Sequence, residues 1–359
     1  MATNYLVLED GTVLEGVAFG YEKAVSGEVV FTTAMGGYQE NITDPSNCGQ
    51  ILVSTYPLVG DYGIIDSANQ SDNAWIGGLV VKEYCKEPSP MYNGRKIDDY
   101  LKEHKIPGIS GIDTREITLK TRENGTMKGA IVFDKADIES TIEDLKKMPE
   151  YPAENLVAEV SCKSAYTVDN GKDLTVGVID CGLMNGIKKS LSDRYNLKVF
   201  PYDTSAQTII DSGVDGVVVT NGPGNPAHPA ILDTVVKTVR ELSSKTAIIG
   251  LGLGNQIVAL ALGGKTCKLK YGPRGTSQPV RCGTRIYITT QNHGYAVDEA
   301  SLEGTGLVAD QININDSSVE GVVHRDLPIF TTQYHPEANP GPDDTAFMFD
   351  KFIKMARRC

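Results

Sequence analysis

The sequence predicts a two-domain α/β chain, an α+β N-terminal domain followed by a doubly wound α/β domain. Three observations lead there: the length, a β-rich opening, and a later alternation of apolar strands with helices. At 359 residues the chain exceeds the size of one ordinary hydrophobic core. From Tyr5 to about Val81, short runs such as 13–19 (VLEGVAF) and 28–33 (EVVFTT) alternate with Gly, Asp and Pro turns, the pattern of strands. Residues 95–105 and 135–148 carry helical periodicity, the latter opening at Asp134 or Asp137 and ending before Pro149. An N-terminal domain over residues 1–150 follows. Residues 151–172 include Pro152, Asn170 and Gly171 with little sustained period, and read as a linker.

In the second domain, residues 173–359, the period changes. Strands are expected at Leu174–Asp180, Leu197–Tyr202, Val214–Thr220 and Thr246–Gly250, with helices through Asn185–Tyr195 and Pro229–Leu242. Nearly continuous apolar strands are what a sheet covered on both faces requires. Arg285–Thr290 and Ile329–Gln333 add strands, and Asp343–Arg357 reads as a closing helix with basic residues in its last turns.

Composition excludes several classes. A formal net charge of −12 opposes a general nucleic-acid or anionic-membrane surface. The seven cysteines (48, 85, 162, 181, 267, 282 and 359) form no C-x-x-C pair and are odd in number, so neither a disulfide framework nor a zinc site is expected. His228, His293 and His324 have no metal-ligand spacing, so no metal is assigned. Reduced thiols of a cytoplasmic protein fit best. The opening residues lack a basic segment followed by an apolar run, so no secretion signal is expected. The longest apolar stretch, 246–264, is interrupted by Asn255, Gln256 and five glycines, and is read as strand plus helix rather than a membrane span.

That stretch is also where chemistry is expected. A buried strand, a sharp glycine turn and an apolar helix form the geometry that holds a nucleophile above a parallel sheet. The turn centre is Gly252, which has no side chain. Downstream, Gln333-Tyr334-His335-Pro336-Glu337 supplies a histidine and a carboxylate able to activate and orient a nucleophile. A third loop, Asn221-Gly222-Pro223-Gly224, should converge on the same strand ends, its glycines letting backbone N–H groups face a bound carbonyl. Singly, such a loop is only a turn.

Together, Asn221-Gly222-Pro223-Gly224, Gly250 to Gln256 and His335-Pro336-Glu337 resemble the class I glutamine amidotransferases, whose elbow reads Gly-x-Cys-x-Gly-His-Gln. Further segments (36–40 GGYQE, 43–46 TDPS, 111–115 GIDTR, 291–297 QNHGYAV and 335–342 HPEANPGP) resemble the carbamoyl phosphate synthetase small subunit along essentially the whole chain. The resemblance implies glutamine hydrolysis, with ammonia passed through a tunnel to a large subunit that holds ATP and magnesium. That subunit makes carbamoyl phosphate for arginine and pyrimidine synthesis. No cofactor is implied in this chain. The resemblance also implies a glutamine pocket at Ser46, Gly222, Gly224, Leu253, Gln256, Asn292, Gly294 and Tyr295. The catalytic histidine falls on His335 and its carboxylate on Glu337, but the nucleophile position is Gly252 and the following histidine is Asn255.

The expectation is therefore a small subunit that has lost glutaminase action and serves an ammonia-dependent complex. The alternative is a non-catalytic glutamine-sensing or regulatory module. Two other readings are weaker. Gly250-Leu251-Gly252-Leu253-Gly254 falls one residue short of a dinucleotide turn, and Arg274 and Gly275 stand where an acidic residue is needed. Cys181, at a strand-to-helix turn of the same sheet, is better read as a buried structural thiol than as a substitute nucleophile. Asn255 reads equally as a helix cap or as a functional residue.

Overall fold

The computed structural model describes residues 3–150 and 153–356. The chain divides into two compact units, Met1–Glu154 and Asn155–Cys359.

The first unit contains β1 (Thr3–Leu8), β2 (Val13–Gly20), β3 (Val25–Thr32), β4 (Ile51–Ser54), β5 (Leu58–Val59), β6 (Gly78–Val80), β7 (Glu83–Tyr84), β8 (Pro107–Ser110) and β9 (Met127–Val132). All but β5 and β7 close a barrel in the order β1-β2-β8-β6-β4-β3-β9, which leaves no exposed sheet edge there. The neighbours β3–β4, β4–β6 and β6–β8 are parallel, so the chain must cross over between them. Helix Ile97–Glu103 supplies one crossover and buries Ile97, Tyr100 and Leu101. The helix expected over 135–148 forms as a 3-10 turn, Lys135–Asp137, followed by Ile138–Lys147. The Asp134 side chain starts it by accepting from the Ala136 amide at 2.8 Å. A further helix, Thr114–Asn124, was not expected; Asp113 caps it by accepting from the Glu116 amide at 3.0 Å.

The second unit contains β10 (Tyr166–Val168), β11 (Thr175–Asp180), β12 (Asn196–Pro201), β13 (Gly216–Val219), β14 (Ala247–Leu251), β15 (Thr266–Lys268), β16 (Arg274–Cys282), β17 (Arg285–Asn292), β18 (Tyr295–Val297), β19 (Leu307–Asn313), β20 (Val319–His324) and β21 (Ile329–Thr332). They form one twelve-stranded sheet whose main path runs β10-β12-β11-β13-β14-β21-β20-β19-β16-β17. Its middle, β12-β11-β13-β14-β21, is parallel. Along those strands alternate residues enter opposite layers. Ile179, Val217, Val219 and Ile248 pack in one core, while Val176, Val178, Val218 and Ile249 pack in the other. The period of two, with both faces covered, explains why these strands read as unbroken apolar runs. The closing helix is Phe347–Ala356, and it places Met348, Phe349 and Phe352 in the second layer.

The segment expected as a linker is structured. It contains helix Leu156–Val160 and strand β10, which pairs antiparallel with β12, so this stretch belongs to the second unit's sheet. No helix among the described residues is long and apolar enough to cross a membrane.

Candidate functional site

Parallel pairing sets three strand ends side by side: Val219 stands opposite Gly250, and Leu251 opposite Thr332. Loops leaving the carboxyl ends of neighbouring parallel strands must meet, so residues 220–224, the turn at 252 and residues 333–337 come together. The turn is tied down on both sides. The Gly252 amide donates to the Thr332 carbonyl at 2.8 Å, the Gly254 amide to Thr220 at 3.1 Å, and the Asn255 amide to Gly252 at 3.0 Å.

Gly252 adopts φ 57° and ψ −114° before helix Leu253–Ala261. A side-chain-bearing residue is strained in that conformation by about 1–3 kcal/mol, whereas glycine is not. The strand-to-helix elbow thus persists without a residue to display. A Cβ at 252 would stand 2.9 Å from Asn221 Cβ and 3.2 Å from its Cα, which places the 221–224 loop directly against the turn. The same packing requires Gly254, where a Cβ would stand 2.1 Å from the Val219 carbonyl oxygen.

His335 and Glu337 form the expected pair. Nδ1 of His335 lies 2.9 Å from Glu337 Oε1, and the two side chains are 7% and 0% exposed. With Nδ1–H donated to the carboxylate, a neutral ring carries its lone pair on Nε2, the arrangement of an oriented general base. The His335 amide is also fixed, donating to Thr290 O at 2.9 Å.

Among the residues expected around glutamine in this unit, two pairs are in contact. A Cβ at Gly222 would meet the Leu253 side chain at 3.0 Å. Gln256 Nε2 donates to the Tyr295 carbonyl at 2.8 Å; Asn292 ends β17, and Gly294 lies on the short turn from there to Tyr295. Asn292, Gly294, Tyr295, Gly222 and Gly224 are half-buried, while Leu253 and Gln256 are buried. Ser46 belongs to the first unit. It lies in the 3-10 turn Pro45–Asn47, its amide donating to Asp44 Oδ1 at 2.8 Å.

Asn255 is not a helix cap. It is the third residue of its helix, fully buried, and makes no capping bond. Its Nδ2 donates to Gln333 Oε1 at 2.9 Å and its Oδ1 accepts from Thr331 Oγ1 at 2.6 Å. Gln256 Nε2 reaches the same Gln333 oxygen at 3.0 Å. The elbow helix is thereby stitched to the strand that leads into His335. Thr331 and Gln333 received no role from the sequence; the signal for Gln333 was its place two residues before His335.

Cys181 is a core residue. Its side chain is fully buried, and burial, with Asp180 adding to it, pushes the thiol well above its ordinary pKa, which disfavours the reactive thiolate. Asp180 is itself occupied as a backbone acceptor, from Cys162, Gly182 and Leu183 at 2.8, 2.9 and 2.7 Å. A glutamine-like chloroketone applied to the native chain should leave Cys181 unmodified in peptide mass spectra; a labelled Cys181 would overturn this assignment. Among the described residues no group of three or more His, Cys, Asp or Glu could hold a metal ion.

Comparison with known proteins agrees with this architecture. Residues 6–131 match the family model "Carbamoyl-phosphate synthase small chain, CPSase domain", and residues 177–355 match "Glutamine amidotransferase class-I". The chain is 45% identical to the carbamoyl phosphate synthase small chain of Methanopyrus kandleri over 359 residues, covering 98% of both chains. It is 45% identical to that of Archaeoglobus fulgidus over 355 residues, again covering 98% of both. To the pyrimidine-specific small chain of Halalkalibacterium halodurans it is 45% identical, covering 98% of this chain and 96% of the relative. The chain belongs to the carbamoyl phosphate synthase small chain family.

Proposed function

We propose that this chain is the small subunit of a carbamoyl phosphate synthase whose glutaminase step is lost, so that the assembled enzyme draws on free ammonia. The observation that carries this is Gly252 at the centre of an otherwise intact elbow, beside an intact His335–Glu337 pair. Glutamine hydrolysis in this family passes through a thioester on cysteine, and glycine offers no atom to form one. Loss of a triad nucleophile costs on the order of a million-fold, about 8 kcal/mol of barrier. A water deprotonated by His335 can replace only a small part of this. Water is not held in place by a bond and is a poorer nucleophile than a thiolate.

On this reading Gly222, Gly224, Leu253, Gln256, Asn292, Gly294 and Tyr295 of the second unit are the remains of a glutamine pocket. The partner is a large subunit that supplies the ATP and magnesium chemistry. A second reading, in which bound glutamine acts as a signal, draws on the bond from Gln256 to the Tyr295 carbonyl, which joins two of those residues.

The test reconstitutes the chain with its large subunit and measures carbamoyl phosphate formation with glutamine and then with ammonium. Glutamine should support less than about a thousandth of the rate with saturating ammonium. Equal catalytic efficiency with the two donors would refute the proposal.

A further inference from the structure

β17 ends the path of its sheet, so one of its edges has no strand beside it. The register with β16 decides which residues open onto that edge. Ile288 stands opposite Pro279, which has no N–H to give and whose carbonyl is turned the other way, accepting from the Ile314 amide at 3.0 Å. Ile288 therefore turns its own backbone groups outward, and Thr290, two residues on, does the same. What meets them is the segment that carries the histidine and the carboxylate. We propose that the free edge of β17 is the seat of residues 335–347, and that Thr290 is the residue on it that positions His335 against Glu337.

The contacts run in order along the edge. The Thr290 carbonyl accepts from the His335 amide at 2.9 Å, an isolated antiparallel bridge, and the Thr290 hydroxyl donates to the Pro340 carbonyl at 2.6 Å. The Ile288 amide donates to Asp344 Oδ2 at 3.1 Å, and the Tyr287 and Phe347 rings meet with their centroids 5.3 Å apart. Thr290 thus grips the segment on either side of Glu337, once through its backbone and once through its side chain. The fit is close: a Cβ at Gly341 would stand 2.0 Å from Thr290 Oγ1 and 3.5 Å from Thr276 Cβ, so the segment's backbone lies directly on the hydroxyl.

That grip matters because secondary structure does not supply it. Between Thr332, where β21 ends, and Phe347, where the closing helix begins, no strand or helix forms. The approach to His335 is held by other strands, the Gln333 amide donating to the Glu320 carbonyl at 2.7 Å and Thr332 Oγ1 to the Tyr334 carbonyl at 3.3 Å. Beyond His335 the task passes to Thr290 and then to Asp344. The 2.9 Å contact between His335 and Glu337 joins residues two apart, so its length follows the backbone shape of that short stretch. Thr290 is 6% exposed, so water is poorly placed to replace its hydroxyl. A general base works within about 2.6–3.2 Å of the proton it takes, and a displacement of about 1 Å costs on the order of a hundredfold. The placement belongs to the chain as it stands; its consequence for glutamine rests on the reading given above.

Two measurements on the full chain test this. The chain has five histidines, so histidine-selective 13C labelling gives few ring C–H peaks, and the one from His335 is identified by its loss in His335→Gln. Thr290→Val keeps the shape of the side chain and removes the hydroxyl. It should move the His335 peak while those of His104, His228 and His324 stay in place, and Thr290→Ser, which keeps the hydroxyl, should leave the His335 peak near its parent position. An unmoved His335 peak in Thr290→Val, or in Thr290→Ala if the valine chain does not fold, would overturn the proposal. Movement of all the histidine peaks together would overturn it as well, because Thr290 would then act on stability alone. The second measurement adds Thr290→Val to the chain carrying Gly252→Cys and Asn255→His. There kcat for glutamine hydrolysis should fall about tenfold with KM changed less than about twofold, and Thr290→Ser should retain most of the rate. A raised KM with kcat unchanged would refute a role through His335. Absence of any hydrolysis in the Gly252→Cys, Asn255→His chain would count against the retained pocket and leave the ring peak to decide the positioning role.

Discussion

Replacing Gly252 by cysteine and Asn255 by histidine together should raise glutamine hydrolysis at least about a thousand-fold over the parent chain. The backbone is ready for the sulfur. The turn already holds φ 57° and ψ −114°, and three backbone bonds, from the amides of Gly252, Gly254 and Asn255, fix it independently of any side chain. The base is also ready, because Glu337 orients His335 whether or not a nucleophile is present. Two costs limit the gain. A Cβ at 252 must push Asn221 back by a few tenths of an ångström from its 2.9 Å approach. An imidazole at 255 must also displace the amide that holds Gln333 and Thr331. Gly252→Cys alone separates these effects: if sulfur is all that is missing, it should provide most of the gain. The readout is glutamate release together with trapping of a glutamyl thioester by acid quench. A folded double variant with no gain and no adduct would show that the pocket has lost its grip on glutamine as well.

Gly254→Ala should be strongly destabilising, lowering stability by about 3 kcal/mol. In a unit of this size that corresponds to a fall of roughly 6–12 °C in midpoint temperature. The added methyl would stand 2.1 Å from the Val219 carbonyl oxygen, 2.8 Å from its carbon and 3.1 Å from Val219 Cβ. None of these is the end of a flexible side chain. Val219 lies in a buried parallel strand between β11 and β14, and Gly254 begins a helix whose own amide is bonded to Thr220, so neither side can withdraw. Thermal unfolding followed by circular dichroism measures the effect, and a midpoint within 2 °C of the parent would refute the packing argument. Gly283→Ala, whose Cβ meets nothing within 4 Å, is a control, because its φ of +59° charges it only for backbone strain.

What could be read from the sequence, and what could not, follows from the range of the interactions. The parallel strands were legible because burial on both faces leaves a local mark, an unbroken apolar run. His335 and Glu337 were legible because their pairing spans two residues. Thr331 and Gln333 were not, because their partner Asn255 lies more than seventy residues away and only the β14–β21 pairing brings them together. Asn255 itself misled because Asn near a helix start favours capping, whereas here the helix turns that side chain into the sheet. β10 was missed for the opposite reason: it is a three-residue, largely exposed edge strand, Tyr166–Val168, too short for any period to mark it. The closure of the first barrel was equally hidden, since alternating short strands say nothing about which of them pair.

Gly252 and Asn255 also differ in what a change at each would disturb. A side chain at 252 meets one close neighbour, Asn221, and otherwise leaves the backbone bonds of the turn in place. A larger ring at 255 has two buried hydrogen bonds to replace, those to Gln333 and Thr331, so the helix and the strand leading to His335 would have to part for it. The turn is thus the tolerant position of the two and the helix face behind it the rigid one.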